Sequence, residues 1–179
     1  MGAADRDSDP VRPGPLEQIY AEHFAFVWRT LRALGLPAAA LDDAAQDVFV
    51  VVHDRLHSFV EGSSLRAWLF GIARNVARRH HERGARSSPL QLVHPPAPLE
   101  EQVQWRERAD VVARFLASLD DGHREVFVAA QLDGMTAPEV AEALGLKLNT
   151  VYSRLRTARV RFEQAIARDE ARQRRQRDG

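Results

Sequence analysis

The segment TAPEVAEALGLKLNTVYSRLRTARVRF, residues 136–162, most constrains what this chain can fold into. It predicts a helix, a tight turn and a second helix. Thr136 is a natural N-cap, and Glu139, three residues on, completes a capping-box pattern. Pro138 is tolerated because the first helical turn has no N–H bond to lose. Ala137, Val140, Ala141 and Leu144 form the apolar face of the first helix. Gly145 stands where a left-handed C-cap is wanted, and Asn149 is expected to cap the second helix. On that second helix Val151, Leu155, Ala158 and Phe162 share one side, while Asn149, Tyr152, Ser153 and Arg156 fall opposite. Arg154, Arg159 and Arg161 flank them, and Lys147 lies in the turn. Hydrogen-bonding side chains between basic flanks suit a DNA major groove. A solvated amphipathic helix would carry a similar face.

The rest of the chain reads as helical too, with no alternation that predicts strands. Leu16, Ile19, Tyr20, His23, Phe24, Val27, Trp28, Leu31 and Leu34 recur at helical spacing until Gly35 and Pro37. A second helix is expected from about Asp42 to His57, with Leu41, Ala45, Val48, Phe49, Val52 and Leu56 inward. Its other side carries Asp43, Gln46, Asp47, Val50 and Asp54. An apolar Val50 among carboxylates fits a protein-binding surface with a small greasy centre; an ordinary acidic face fits as well. His53 and His57, four residues apart, could face one metal, but the Glu that accompanies such a pair in zincins is missing.

Ser58–Ser64 is predicted to be a loop, and Leu65 to Arg83 a helix capped by Ser63 or Ser64. Leu65, Trp68, Leu69, Ile72, Ala73 and Val76 face its core. Arg66, Phe70, Arg74, Arg78 and His81 face away, an aromatic among cations, which suits a single strand of nucleic acid. A charged surface helix with one exposed Phe is the alternative. Residues 85–98, rich in Pro, Ser and Gly, read as a linker. A second helical unit follows from about Leu99, broken at Asp120–Gly122, with a short helix over His123–Leu132 before the opening segment. Residues 1–15 read as disordered and the charged tail, residues 169–179, as fraying.

The 25 basic and 25 acidic residues balance, so no global basic field announces nucleic acid; distribution carries the information. Lys147 is the only lysine. With no cysteine, disulfides and thiolate zinc sites are excluded. No apolar run is long enough to cross a membrane, and the N-terminus lacks an apolar signal core, so a cytoplasmic protein without membrane insertion is expected. No nucleophile–base pair or phosphate-cradling glycine loop suggests an enzyme.

Three ordered motifs resemble the extracytoplasmic-function (ECF) group of bacterial RNA polymerase sigma factors. DDAAQDVFVVVHDRL is similar to the group's core-polymerase-binding helix. SFVEGSSLRAWLFGIARNVARR resembles its promoter-opening segment, and LDDGHREVFVAAQLDGMTAPEVAEALGLKLNTVYSRLRTAR its C-terminal helix-turn-helix. The resemblance spans about Leu16 to Ala167. It implies an all-α protein without an active site, cofactor or metal. A region 2-like domain (residues 16–84) and a region 4-like domain (residues 99–168) would be joined by a flexible linker. The partners implied are core RNA polymerase, promoter DNA (duplex at −35, single-stranded at −10) and an anti-sigma factor. The residues implied for core polymerase are Asp43, Gln46, Asp47, Val50 and Asp54. Those implied for the −10 element are Phe59, Val60, Glu61, Gly62, Ser63, Ser64, Arg66, Trp68, Phe70, Arg74, Asn75 and Arg78. Those implied for the −35 element are Lys147, Asn149, Thr150, Tyr152, Ser153, Arg154, Arg156 and Arg159. Val60 and Glu61 stand where the group usually has an Arg-Gly pair, so no −10 base preference carries over. Tyr152 and Thr157 likewise replace residues that are often basic. The rival reading is a dimeric helix-turn-helix regulator that binds duplex DNA without polymerase, although no heptad seam for dimerisation is evident.

Overall fold

The structure, a computed structural model, describes residues 15–60, 62–84 and 99–177, with backbone only at 99–108 and 176–177. The expected linker, Glu61 of the −10 loop, and residues 1–14 of the N-terminal segment lie outside the described residues. Among the described residues there are seven α-helices and no strand: α1 Pro15–Ala33, α2 Ala38–Arg55, α3 Leu65–Glu82, α4 Leu99–Ser118, α5 Asp121–Phe127, α6 Ala137–Leu144 and α7 Leu148–Arg177. A 3₁₀ turn, Leu56–Ser58, ends α2, and a π turn, Val128–Leu132, follows α5.

Local chemistry explains most boundaries. α2 begins at Ala38, four residues before the position expected from Asp42. Pro37 holds an extended ψ of 150° and the three alanines after it are strong helix formers. Ser64 caps α3, its Oγ accepting from the Ala67 N–H at 3.3 Å. Asp120 caps α5 by accepting from the His123 N–H at 3.1 Å, so α5 starts at Asp121 instead of His123. The capping box forms as expected: Glu139 N–H donates to Thr136 Oγ1, and Thr136 N–H to Glu139 Oε2 at 2.8 Å. These bonds hold the Glu139 carboxyl below its ordinary pKa, the Thr136 N–H first among them. Gly145 closes α6 at φ 62°, ψ 35°, the left-handed region that side chains avoid. α7 starts at Leu148, so Asn149 lies inside its first turn and does not cap it; the Lys147 carbonyl accepts from Thr150 and Val151 instead. The tail expected to fray continues α7 to Arg177, tied to α4 by an ion pair between Arg114 and Asp169 at 3.0 Å.

α1, α2 and α3 pack as an N-terminal bundle around Val27, Leu31, Leu41, Val48, Val52, Leu69 and Val76, each fully buried. α4 to α7 form a C-terminal bundle in which the rings of Phe115, Phe127 and Phe162 meet at 4.9–5.6 Å between centroids. The Arg124 guanidinium closes the end of α4 by donating to the Leu116 and Leu119 carbonyls, each at 2.8 Å.

The two bundles also pack on each other. α3 lies against α6, and one apolar cluster runs from Phe70 and Leu69 on α3 to Val140 and Leu144 on α6. Thr30 Oγ1 donates to Asp133 Oδ2 across the seam at 2.9 Å, both groups buried. Arg74 Nε sits 2.8 Å from Glu125 Oε1, an ion pair off hydrogen-bond alignment. Gly71 permits a close approach, since a Cβ there would come within 3.3 Å of the Ala143 carbonyl oxygen.

Candidate nucleic-acid interface

α7 is held by Val151, Leu155 and Ala158, all buried, and this fixes what its other side presents. Lys147, Asn149, Tyr152, Ser153, Arg156 and Arg159 are exposed, Tyr152 at 54%. Thr150 is half-buried. Arg154 is half-buried as well, its guanidinium so close over Gly122 that a Cβ there would lie 2.9 Å from Nη1. It therefore sits between α7 and α5, away from the open basic flank expected for it. The open face is an array of donors and acceptors on a rigid helix, set after a sharp turn, which is what base-edge readout needs.

On α2, Asp43, Gln46, Val50 and Asp54 are exposed, Val50 at 53%. Beside Val50, a groove lined by Tyr20, Phe24, Gln46 and Phe49 gives that face an apolar floor. Asp47 is half-buried and lies 2.9 Å from His80 Nε2 on α3. It ties α2 to α3 as well as facing outward, a role the sequence did not reveal. His53 and His57 are exposed, with His53 Nδ1 3.2 Å from Asp54 Oδ1. No group of three or more metal-ligating side chains forms among the described residues.

α3 departs most from expectation. Arg66, Asn75 and Arg78 are exposed, and Trp68 is half-buried against Phe59, with ring centroids 5.2 Å apart. Val60, Gly62 and Ser63 line an open loop, and Ser64 is half-buried at the cap. Phe70, however, is fully buried, and Arg74 is engaged by Glu125 of the C-terminal bundle. The expected outward aromatic is thus an inward one. At Phe70 and Arg74 the side of α3 that faces away from its own bundle meets the other bundle, while Arg66 and Arg78 stay open.

Residues 19–87 match the Sigma-70 region 2 family and residues 109–162 match Sigma-70 region 4. The RNA polymerase sigma factor CnrH of Cupriavidus metallidurans is 34% identical, over 85% of this chain and 86% of its own length. The ECF RNA polymerase sigma factor SigL of Mycobacterium tuberculosis is 30% identical, over 80% of this chain and 84% of its own. The chain belongs to the ECF RNA polymerase sigma factors. The solved structure of CnrH in complex with the cytosolic domain of CnrY superposes with a TM-score of 0.65 at 30% identity, covering 86% of this chain and 88% of that one. The sigma factor RpoE of Bartonella quintana, solved with the anti-sigma factor NepR, shares the fold with a TM-score of 0.65 at 22% identity.

Within this sigma factor, region 2 covers most of α1 and all of α2 and α3, and region 4 runs from the middle of α4 into α7. The residues at the seam between them, Thr30, Gly71, Glu125 and Asp133, went unnoticed in the sequence. Asp133 precedes Gly134 and reads as an ordinary turn residue, and Thr30 sits among the apolar positions of α1. Only the juxtaposition of two bundles gives either residue a partner.

Proposed function

We propose that this sigma factor delivers core RNA polymerase to promoters by three separate surfaces. The α7 face of Asn149, Tyr152, Ser153 and Arg156 reads the −35 duplex, and Lys147 and Arg159 contact its phosphates. Arg66, Asn75 and Arg78 on α3, with the Phe59–Ser64 loop, take the melted −10 strand. The α2 face of Asp43, Gln46, Val50 and Asp54 docks on core polymerase. The observation that carries this reading is the polar, exposed α7 face on a helix whose opposite side is locked into the C-terminal core. The protein acts by binding and positioning, in the cytoplasm; no helix among the described residues is long and apolar enough to cross a membrane. CnrH in complex with the cytosolic domain of CnrY, and RpoE with NepR, support an anti-sigma partner for this chain as well.

In vitro transcription from a genomic promoter library, with core polymerase added to this protein, tests the reading. Promoter-specific transcripts that require both components are expected. Tight footprints on duplex DNA by the protein alone, without transcripts, would favour the dimeric regulator instead.

A further inference from the structure

The carboxylates Asp43, Asp47 and Asp54 follow one another along the outward side of α2, and the structure holds them differently. Among the described residues Asp43 is exposed and has no hydrogen-bond or ionic partner. Asp54 has its exposed neighbour His53, at 3.2 Å. Asp47 is reached from another helix: His80 of α3 donates from Nε2 to Asp47 Oδ2 at 2.9 Å. The two side chains differ in exposure, His80 at 14% and Asp47 at 48%. A largely covered imidazole thus holds a carboxylate that looks outward.

The bond adds little to the packing of the two helices. A half-exposed ion pair contributes weakly, and Val48, Val52 and Val76, all fully buried, already join α2 to α3. What the bond fixes is direction. An unanchored aspartate on a helix turns among its rotamers, and a partner that needs one of them must restrict it on docking. With Oδ2 held, the Asp47 carboxylate keeps one orientation and leaves Oδ1 to an incoming donor.

We propose that His80 is a positioning residue for polymerase docking: it sets the Asp47 carboxylate in the orientation that meets a cationic side chain of core RNA polymerase. The proposal rests on the reading of α2 given above and adds Asp47 to that face through its free oxygen. Because one oxygen is taken, the polymerase cation bonds end-on to Oδ1, without the two-pronged geometry that an arginine makes with a free carboxylate. His80 acts through Asp47 and makes no contact of its own with polymerase.

The test is the affinity of the full chain for core polymerase, measured for Asp47→Ala, His80→Ala, His80→Gln and the double variant His80→Ala with Asp47→Ala. Circular dichroism and urea unfolding establish that each chain is folded. His80→Ala should weaken binding by about three- to tenfold, the range expected for ordering one side chain on docking. Asp47→Ala should weaken it at least as much. His80→Gln carries an amide N–H where the imidazole had its own and should restore most of the loss. The double variant should bind no more weakly than Asp47→Ala alone, because His80 has nothing left to position. A purely structural role for His80 would make the two losses add and would leave His80→Gln unrestored; either result overturns the proposal. Asp47→Ala without effect also overturns it, and Asp43→Arg then decides how far the failure reaches. A loss with Asp43→Arg keeps the docking reading of α2, and full affinity removes that reading as well.

Discussion

Arg156 and Arg159 lie three residues apart on α7, both exposed, yet they should do different things. Arg156 projects with Ser153 and Tyr152 opposite the buried Leu155 and Val151, on the side proposed to meet base edges. Its guanidinium can meet a guanine with two hydrogen bonds, worth about 1–3 kcal/mol of discrimination. Arg159 stands on the flank that the proposed docking turns toward phosphates, whose contacts carry no sequence information. Arg156→Ala should therefore relax preference at one or two positions of the −35 element. Arg159→Ala should weaken all promoters alike and lower the salt slope by about one. Selection of a randomised −35 library with holoenzyme from each variant distinguishes them. An unchanged preference with Arg156→Ala and an altered one with Arg159→Ala would mean that the helix sits rotated in the groove. Arg154 is half-buried with its guanidinium over Gly122, so it is a less direct probe of either role.

At the scale of elements, the helix-turn-helix was legible because its signals are local. Capping box, proline and left-handed glycine act within one or two turns of chain, and each appears where expected. Gly145→Ala should cost about 1 kcal/mol or more, because φ of 62° is strained for any side chain, with the loss read by urea unfolding. The acidic side of α2 was legible for a similar reason: periodicity separates it from the core stripe. Asp43→Arg is a better probe of that face than Asp47→Arg, since Asp47 also holds His80 across to α3. Reversal at exposed Asp43 should change stability by under about 0.5 kcal/mol and weaken capture of core polymerase in a pull-down. Full capture would remove this face from the polymerase interface. α3 was misread where locality fails. Periodicity tells which residues face their own bundle, and Phe70 among arginines has the pattern of a solvent face. A second bundle packed over that face, from residues more than fifty positions away, leaves no periodic trace.

At the scale of the whole molecule, the seam joins a region 2 bundle to a region 4 bundle through a buried carboxyl. Burial pushes Asp133 up from 3.8 to about 6, while the Thr30 hydroxyl and the Arg66 and Arg29 charges pull the other way. The hydroxyl that bonds it and one of the two charges come from α1, Thr30 and Arg29, and the other charge, Arg66, from α3. When the bundles separate, Asp133 becomes exposed and returns toward its ordinary value. The closed state therefore binds more protons than the open one between pH 4 and 6. Its pKa is raised, so protonation favours closure, and closure weakens as pH rises through about 6. From pH 7.5 to pH 5 the closed-to-open ratio should increase about tenfold. Asp133→Asn mimics the protonated group and can still accept from Thr30 through its carbonyl oxygen. That variant should close more tightly at pH 7.5 than the wild type and lose the pH dependence, which separates this carboxyl from every other titrating side chain. Because the chain has no cysteine, Arg55→Cys on α2 and Gln164→Cys on α7, both exposed sites, take a dye pair, and energy transfer between them across that range is the measurement. A wild-type chain that opens on acidification, or an Asp133→Asn chain that keeps the full slope, would show that the seam is governed by some other group.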